Sequence, residues 1–153
     1  MYTVDASVAI DAAGPTAFEC FDAPAEHLEL TPSLRSLDRT ERLPDGRWHA
    51  EYAFRFSGVH LEGEIRTITR DPGRALTFEL TGGIRGVVRY RFSDDGDACR
   101  ITASAEYELP ACVVEALGEP IVETYGDREL ERVLANAKAR LEATRWTQRP
   151  DRP

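Results

Sequence analysis

Val4, Ala6, Val8 and Ile10 alternate with Asp5, Ser7 and Ala9, so the chain opens on a strand with one buried face. The next stretch, DAAGPTAFECFDAPAEHLELTP, drops the alternation. Pro15 suits a first helical turn, Phe18, Cys20 and Phe21 face inward, and a second short helix follows from about Pro24 to Leu30. The Asp22-Ala23-Pro24 step separates the two.

Period 2 then returns and holds to about Leu109. It is broken by turn chemistry at Pro44-Asp45-Gly46, Ser57-Gly58, Asp71-Pro72-Gly73, Gly82-Gly83 and Asp94-Asp95-Gly96-Asp97. The strands between these breaks run approximately Leu34–Leu43, Trp48–Phe56, Val59–Arg70, Ala75–Thr81, Ile84–Ser93 and Ala98–Leu109. Such short turns imply an antiparallel meander. Trp48, Tyr52, Phe54 and Phe56 share one side, continued by Leu61, Gly63 and Ile65, by Phe78 and Leu80, by Val88, Tyr90 and Phe92, and by Ile101, Ala103, Ala105 and Tyr107. His49, Glu51, Arg55, His60, Glu62, Glu64 and Arg66 take the opposite side. One face of the sheet is aromatic and the other charged.

After Pro110 the period changes to 3.6 and stays there to about Ala143. Two apolar stripes can be counted, Val114, Leu117, Ile121 and Tyr125, then Leu130, Val133, Leu134, Ala137 and Leu141. Ile121 and Leu130 stand about 180° apart on a regular helix. The segment EALGEPIVETYGDREL between them carries Gly118, Pro120 and Gly126, each unfavourable inside a helix. Either the helix bends or unwinds near Gly118-Glu119-Pro120, or it stays straight and its first half buries a second face. In both cases the second half clamps the sheet. Residues 145–153 carry no apolar pattern and are expected to be a flexible tail, with Trp146 able to pack back.

A chain of 153 residues suffices for one domain with a real core, taken here as 1–144. Cys20, Cys99 and Cys112 form no CxxC pair and are expected to be buried, unreactive thiols. His27, His49 and His60 show no metal-binding spacing, so neither a metal nor another cofactor is expected. No stretch is long and apolar enough for a membrane span and the N-terminus has no signal-like run, so a cytoplasmic location without integral membrane association is expected. There are 27 acidic against 19 basic residues, a net charge of −8, and Lys138 is the single lysine. That balance makes nucleic acid a poor partner. It also suits a halophilic cytoplasm, or simply a GC-rich genome. Oligomeric state is left open between monomer and dimer.

Candidate chemistry is sparse. The acidic turn at 94–97 lacks the alternating oxygens and distant glutamate of an EF-hand and reads as a hairpin closure. Arg85, Arg89 and Arg91 form a cross-strand ladder with Glu106 and Glu108 rather than an anion site. Asp127, Arg128, Glu129, Glu131 and Arg132 read as a solvated helix face. No phosphate loop, nucleophile elbow or dinucleotide fingerprint is present. The inward titratable groups are the tyrosines 52, 90, 107 and 125, with no clear inward carboxylate or histidine. A one-residue slip of the Val59–Arg70 strand would turn His60, Glu62 and Glu64 inward, at the expense of exposing Leu61 and Ile65.

The segments VDASVAIDAAGPTAFECF, RDPGRALTFEL and YELPACVVEAL...ELERVLANAKARLEA, in this order, resemble the START-like or SRPBCC superfamily in its polyketide cyclase/dehydrase-like branch. The resemblance implies an α+β helix-grip fold: a seven-stranded antiparallel curved sheet, two short helices after the first strand, and a long C-terminal helix packed across the concave face. It also implies an internal cavity for a small hydrophobic ligand such as a lipid, polyketide or aromatic compound. Its walls would come from Tyr52, Phe54, Phe56, Phe78, Tyr90 and Tyr107 and from the helix residues Leu117, Ile121 and Tyr125. A cyclase or dehydratase of the same fold, and a co-chaperone-like interaction module, are the alternative functions.

Overall fold

In a computed structural model that describes residues 1–147, the chain forms seven strands and four helices. They run β1 (Tyr2–Ile10), α1 (Gly14–Asp22), α2 (Pro24–Leu30), β2 (Leu34–Arg42), β3 (Trp48–Phe56), β4 (Val59–Asp71), β5 (Ala75–Gly82), β6 (Arg85–Asp95), β7 (Ala98–Glu108), α3 (Ala111–Leu117) and α4 (Glu119–Thr147). The sheet is antiparallel throughout, in the order β1-β7-β6-β5-β4-β3-β2. The short turns build the meander from β2 to β7, and α1 and α2 carry the chain from β1 at one edge to β2 at the other. Bulges between Leu34 and Ser36, between Asp38 and Glu41, and between Thr67 and Thr69 interrupt the ladders where the sheet must curve.

The β4 register is the one that buries Leu61 and Ile65 and leaves His60, Glu62 and Glu64 exposed. Asp94, in the acidic turn, accepts a hydrogen bond from the Gly14 backbone N–H at 3.1 Å and so serves the first turn of α1, which has no capping side chain of its own. Arg89 reaches Glu106 at 3.4 Å, one rung of the expected ladder. Cys20 and Cys99 are buried, but Cys112 is exposed, because on α3 it is the neighbouring Val113 that turns into the core.

Asp22 organises the turn between the two short helices. Its carboxylate accepts from Arg70 at 3.0 and 3.1 Å, and its backbone carbonyl accepts from Trp48 Nε1 at 2.8 Å and from Arg42 at 3.2 Å. Arg70 also lies 5.5 Å from the centre of the Phe18 ring. The α1–α2 corner is thereby fixed to β2, β3 and β4.

The expected break in the last helix falls at Gly118, which ends α3 with φ +89° and ψ 143°, a conformation essentially confined to glycine. The expected change of apolar phase does not follow it. Val122, Gly126, Leu130, Val133 and Ala137 lie on one inward stripe and all are buried, within about 80° of arc. Ile121 lies about 140° away from Gly126 on that helix and is 49% exposed. A count of apolar side chains selects Ile121 and passes over Gly126, because a glycine contributes nothing to a hydrophobic pattern. Further along, Lys138 donates to the Ala9 carbonyl at 3.0 Å and Glu142 accepts from the Asp11 N–H at 3.0 Å, tying α4 to β1. Helix α4 continues to Thr147, and the packing role considered for Trp146 and the remainder of the expected tail lie outside the residues whose side chains are described.

Candidate functional site

Between the aromatic face of the sheet and the inward stripe of α4 lies a cavity of about 150 Å³. Six of the residues expected in its wall are there: Tyr52, Phe54 and Phe56 from β3, Phe78 from β5, Tyr90 from β6 and Tyr107 from β7. Helix α4 contributes Gly126, Glu129, Leu130 and Val133, and α2 contributes His27. The other three expected residues do not line it. Leu117 packs half-buried on α3 beside the core, Ile121 points outward, and Tyr125 stands at the rim with its ring 4.5 Å from that of Phe56.

Most tyrosine hydroxyls near the cavity are engaged by the protein. Tyr52 donates to the Thr81 carbonyl at 2.9 Å or the Ile84 carbonyl at 3.1 Å and accepts from the Ile84 N–H at 2.8 Å, which fastens β3 to the β5–β6 turn. The ring can reach that turn only because residue 63 is glycine, since a Cβ there would stand 2.6 Å from the Tyr52 oxygen and 1.9 Å from the Thr81 carbonyl. Tyr107 donates to the Val122 carbonyl at 3.0 Å, and burial, followed by the charge of Asp127, pushes its pKa up to about 12. Tyr125 donates to the Arg55 carbonyl at 3.1 Å and its hydroxyl also meets that of Ser33. Tyr90 takes part in none of these bonds, and burial raises its pKa as well.

Two polar side chains that sequence reasoning placed elsewhere belong to this site. Glu129, read as part of a solvated face, follows Gly126 by three residues and so lies beside the inward stripe. Its carboxylate accepts from both the N–H and the hydroxyl of Ser33 at 2.9 Å, joining α4 to the segment before β2 at the cavity rim. His27 is 5% exposed and sits among the rings of Phe21, Trp48, Phe78 and Tyr90, with centroids 4.7 to 6.4 Å away. Its Nε2 is buried without a hydrogen-bond partner from the protein. Burial pulls its pKa down from 6.5 to about 4, with a hydrogen bond to the Phe21 backbone and the charge of Asp22 opposing the shift. Thus the imidazole is neutral at neutral pH. The sequence pattern hid it because Leu28 and Leu30 compete for the inward face of a seven-residue helix, and the structure leaves Leu28 37% exposed while burying His27 and Leu30.

Among the described residues no group of three His, Cys, Asp or Glu side chains is placed to hold a metal ion, and no helix is long and apolar enough to cross a membrane.

A curved antiparallel sheet closed over an internal apolar cavity by a C-terminal helix defines a protein of the helix-grip, START-like class. The sequence profile of the family described as polyketide cyclase / dehydrase and lipid transport matches residues 1–142, and the chain belongs to that family. Solved structures carry the same fold at low sequence identity. A Thermus thermophilus protein superimposes with a TM-score of 0.79 at 18% identity, covering 93% of this chain and 98% of its own. A START superfamily protein from Mycobacterium smegmatis gives 0.77 at 13%, covering 94% and 99%. The Zhui aromatase/cyclase from a Streptomyces species gives 0.77 at 12%, covering 92% and 93%. A sequence comparison with curated proteins finds no match.

Proposed function

We propose that this protein is a cytoplasmic carrier or sensor that binds a small hydrophobic ligand in the cavity beneath α4. The observation that carries this reading is the cavity itself. Protein interiors are packed about as densely as organic crystals, and an unfilled apolar space forfeits dispersion contacts and stability. A space of about 150 Å³ bounded by aromatic and aliphatic side chains is therefore a poor way to build a core and a good way to hold a ligand. An apolar cavity of roughly that size accepts one benzene-like ring. A larger ligand would require α3 and the start of α4 to move away from the sheet, and Gly118 is the natural place for that displacement.

The family description, which covers both lipid transport and cyclisation or dehydration, supports a role of this kind. One observation favours the enzymatic alternative: His27 supplies the buried imidazole that a cyclase or dehydratase needs within reach of its substrate. Its pKa of about 4 makes it a weak base at neutral pH, however, and Glu129 already accepts two hydrogen bonds from Ser33. Binding is therefore the better supported of the two.

Native mass spectrometry of the purified protein tests the reading. The expected result is a non-covalent adduct of an apolar small molecule that disappears on denaturation. A bare polypeptide mass, together with no response of cavity resonances in NMR titrations with small aromatic probes, would overturn it.

A further inference from the structure

We propose that His27 Nε2 is the polar anchor of the cavity and that the ligand it selects carries a hydroxyl on an aromatic ring. This rests on the binding reading above and deepens it to a ligand class. Tyr52, Tyr107 and Tyr125, the hydroxyls that sequence alone would assign to ligand orientation, are already bonded to backbone carbonyls. What remains in the wall are the Tyr90 hydroxyl, which takes part in none of these bonds, and an imidazole nitrogen of the lining residue His27 that is buried and has no protein partner. A buried polar atom left without a partner is costly, and such orphans in a folded protein call for an explanation.

The chemistry of that nitrogen restricts what can satisfy it. The backbone hydrogen bond to Phe21 requires a donor on the ring, and since Nε2 has no partner, that donor is Nδ1. In the neutral imidazole Nε2 then carries a lone pair and can only accept. A ketone, aldehyde or carboxylate would bring a second acceptor against that lone pair. An ammonium group would have to shed its hydration among Trp48, Phe78 and Tyr90. A neutral hydroxyl meets both conditions, and the aromatic rings about His27 together with the single-ring volume of the cavity favour a phenol as its bearer. Tyr90, whose ring centre is 6.3 Å from that of His27, stands beside the same position.

Phenol and toluene, matched in shape and differing by hydroxyl against methyl, provide the test by NMR titration or calorimetry. A wholly apolar cavity prefers toluene, because phenol must be desolvated without compensation. The anchor predicts that the protein binds phenol at least as tightly as toluene and that His27→Phe reverses the preference by about tenfold. A second measurement on the unmodified protein does not depend on the variant's folding: imidazole ¹⁵N shifts should report a proton on Nδ1 and a bare Nε2 whose resonance moves on adding phenol but not toluene. Toluene bound in clear preference to phenol, or a phenol affinity unchanged in folded His27→Phe, would overturn the anchor while leaving the binding reading intact. Failure of both probes to bind would overturn the anchor, and together with a bare polypeptide mass in native mass spectrometry it would overturn the binding reading as well.

Discussion

Replacing Gly126 by alanine separates two explanations for a glycine in the middle of a long helix. If the residue only softens α4, the substitution should stabilise the protein, since alanine is favoured over glycine in a helix interior by about 1 kcal/mol. The structure gives Gly126 another role. A Cβ at that position would stand 2.1 Å from the Tyr107 hydroxyl oxygen, 2.9 Å from its Cζ and 3.1 Å from its Cε1. Tyr107 has little room to retreat, being 8% exposed with its ring stacked on Tyr2 at 5.4 Å and near Phe56 at 6.2 Å. Moving it would break its bond to the Val122 carbonyl, at a cost of about 1–3 kcal/mol for the orphaned hydroxyl. Holding it would overpack the contact, at about 1–3 kcal/mol. Set against the propensity gain, either route leaves Gly126→Ala between unchanged and destabilised by roughly 2 kcal/mol, instead of stabilised by about 1 kcal/mol. Equilibrium urea unfolding followed by the fluorescence of buried Trp48 measures this directly. Tyr107→Phe removes the nearest atom, so the double variant should lose less than the sum of the single losses, with a coupling of about 1 kcal/mol. A Gly126→Ala protein more stable than the parent, or strictly additive losses, would refute the close-approach argument.

Three further outcomes are expected. The depressed pKa of His27 means that the unfolded chain binds its proton first as pH falls. The resulting stability is present above pH 6.5 and is lost between 6.5 and about 4, so the protein should be about 2 kcal/mol less stable at pH 5 than at pH 7 on this account alone. Urea unfolding at the two pH values, compared with His27→Phe, isolates the effect; equal pH slopes in the two proteins would contradict it. Asp22→Ala should cost about 2–4 kcal/mol, since it leaves the guanidinium of Arg70, 23% exposed, without its carboxylate, while Asp22→Asn, which keeps an acceptor, should cost less; a loss of under about 0.5 kcal/mol for alanine would place the corner's stability elsewhere. With a net charge of −8 and with Glu119, Glu123 and Asp127 grouped beside Tyr2, the unfolding midpoint should rise as salt is raised towards molar concentration, and a flat or falling midpoint would remove the halophilic reading.

The order of elements was legible because each carries a strong local signal. Alternation from Trp48 to Phe56 and from Val59 onward predicted strands whose observed limits differ by a residue at most, and proline at 15 and 24 marked the starts of two helices. The break at Gly118 was legible too, since a glycine beside a pre-proline position disfavours a continuous helix. The site was legible only in its apolar part. Tyr52, Phe54, Phe56, Phe78, Tyr90 and Tyr107 follow from a period of two on a sheet with one buried face.

What the sequence determined by itself is therefore the set of faces: which side of each strand is apolar, where the turns fall, and where the last helix breaks. Only the tertiary structure decided which polar atoms remain available on those faces. That Tyr52, Tyr107 and Tyr125 are bonded to carbonyls 29, 15 and 70 residues away, and that Glu129 is held by Ser33, depends on distances between elements remote in sequence. Gly126 turns inward and Ile121 outward because the helix must approach Tyr107, a constraint no hydrophobic count can register when the inward residue has no side chain. His27 is hidden for the same reason in reverse: its burial follows from the ring cage formed by β3, β5 and β6 around α2, and only that cage leaves a buried imidazole nitrogen without a protein partner in the wall of a largely apolar cavity.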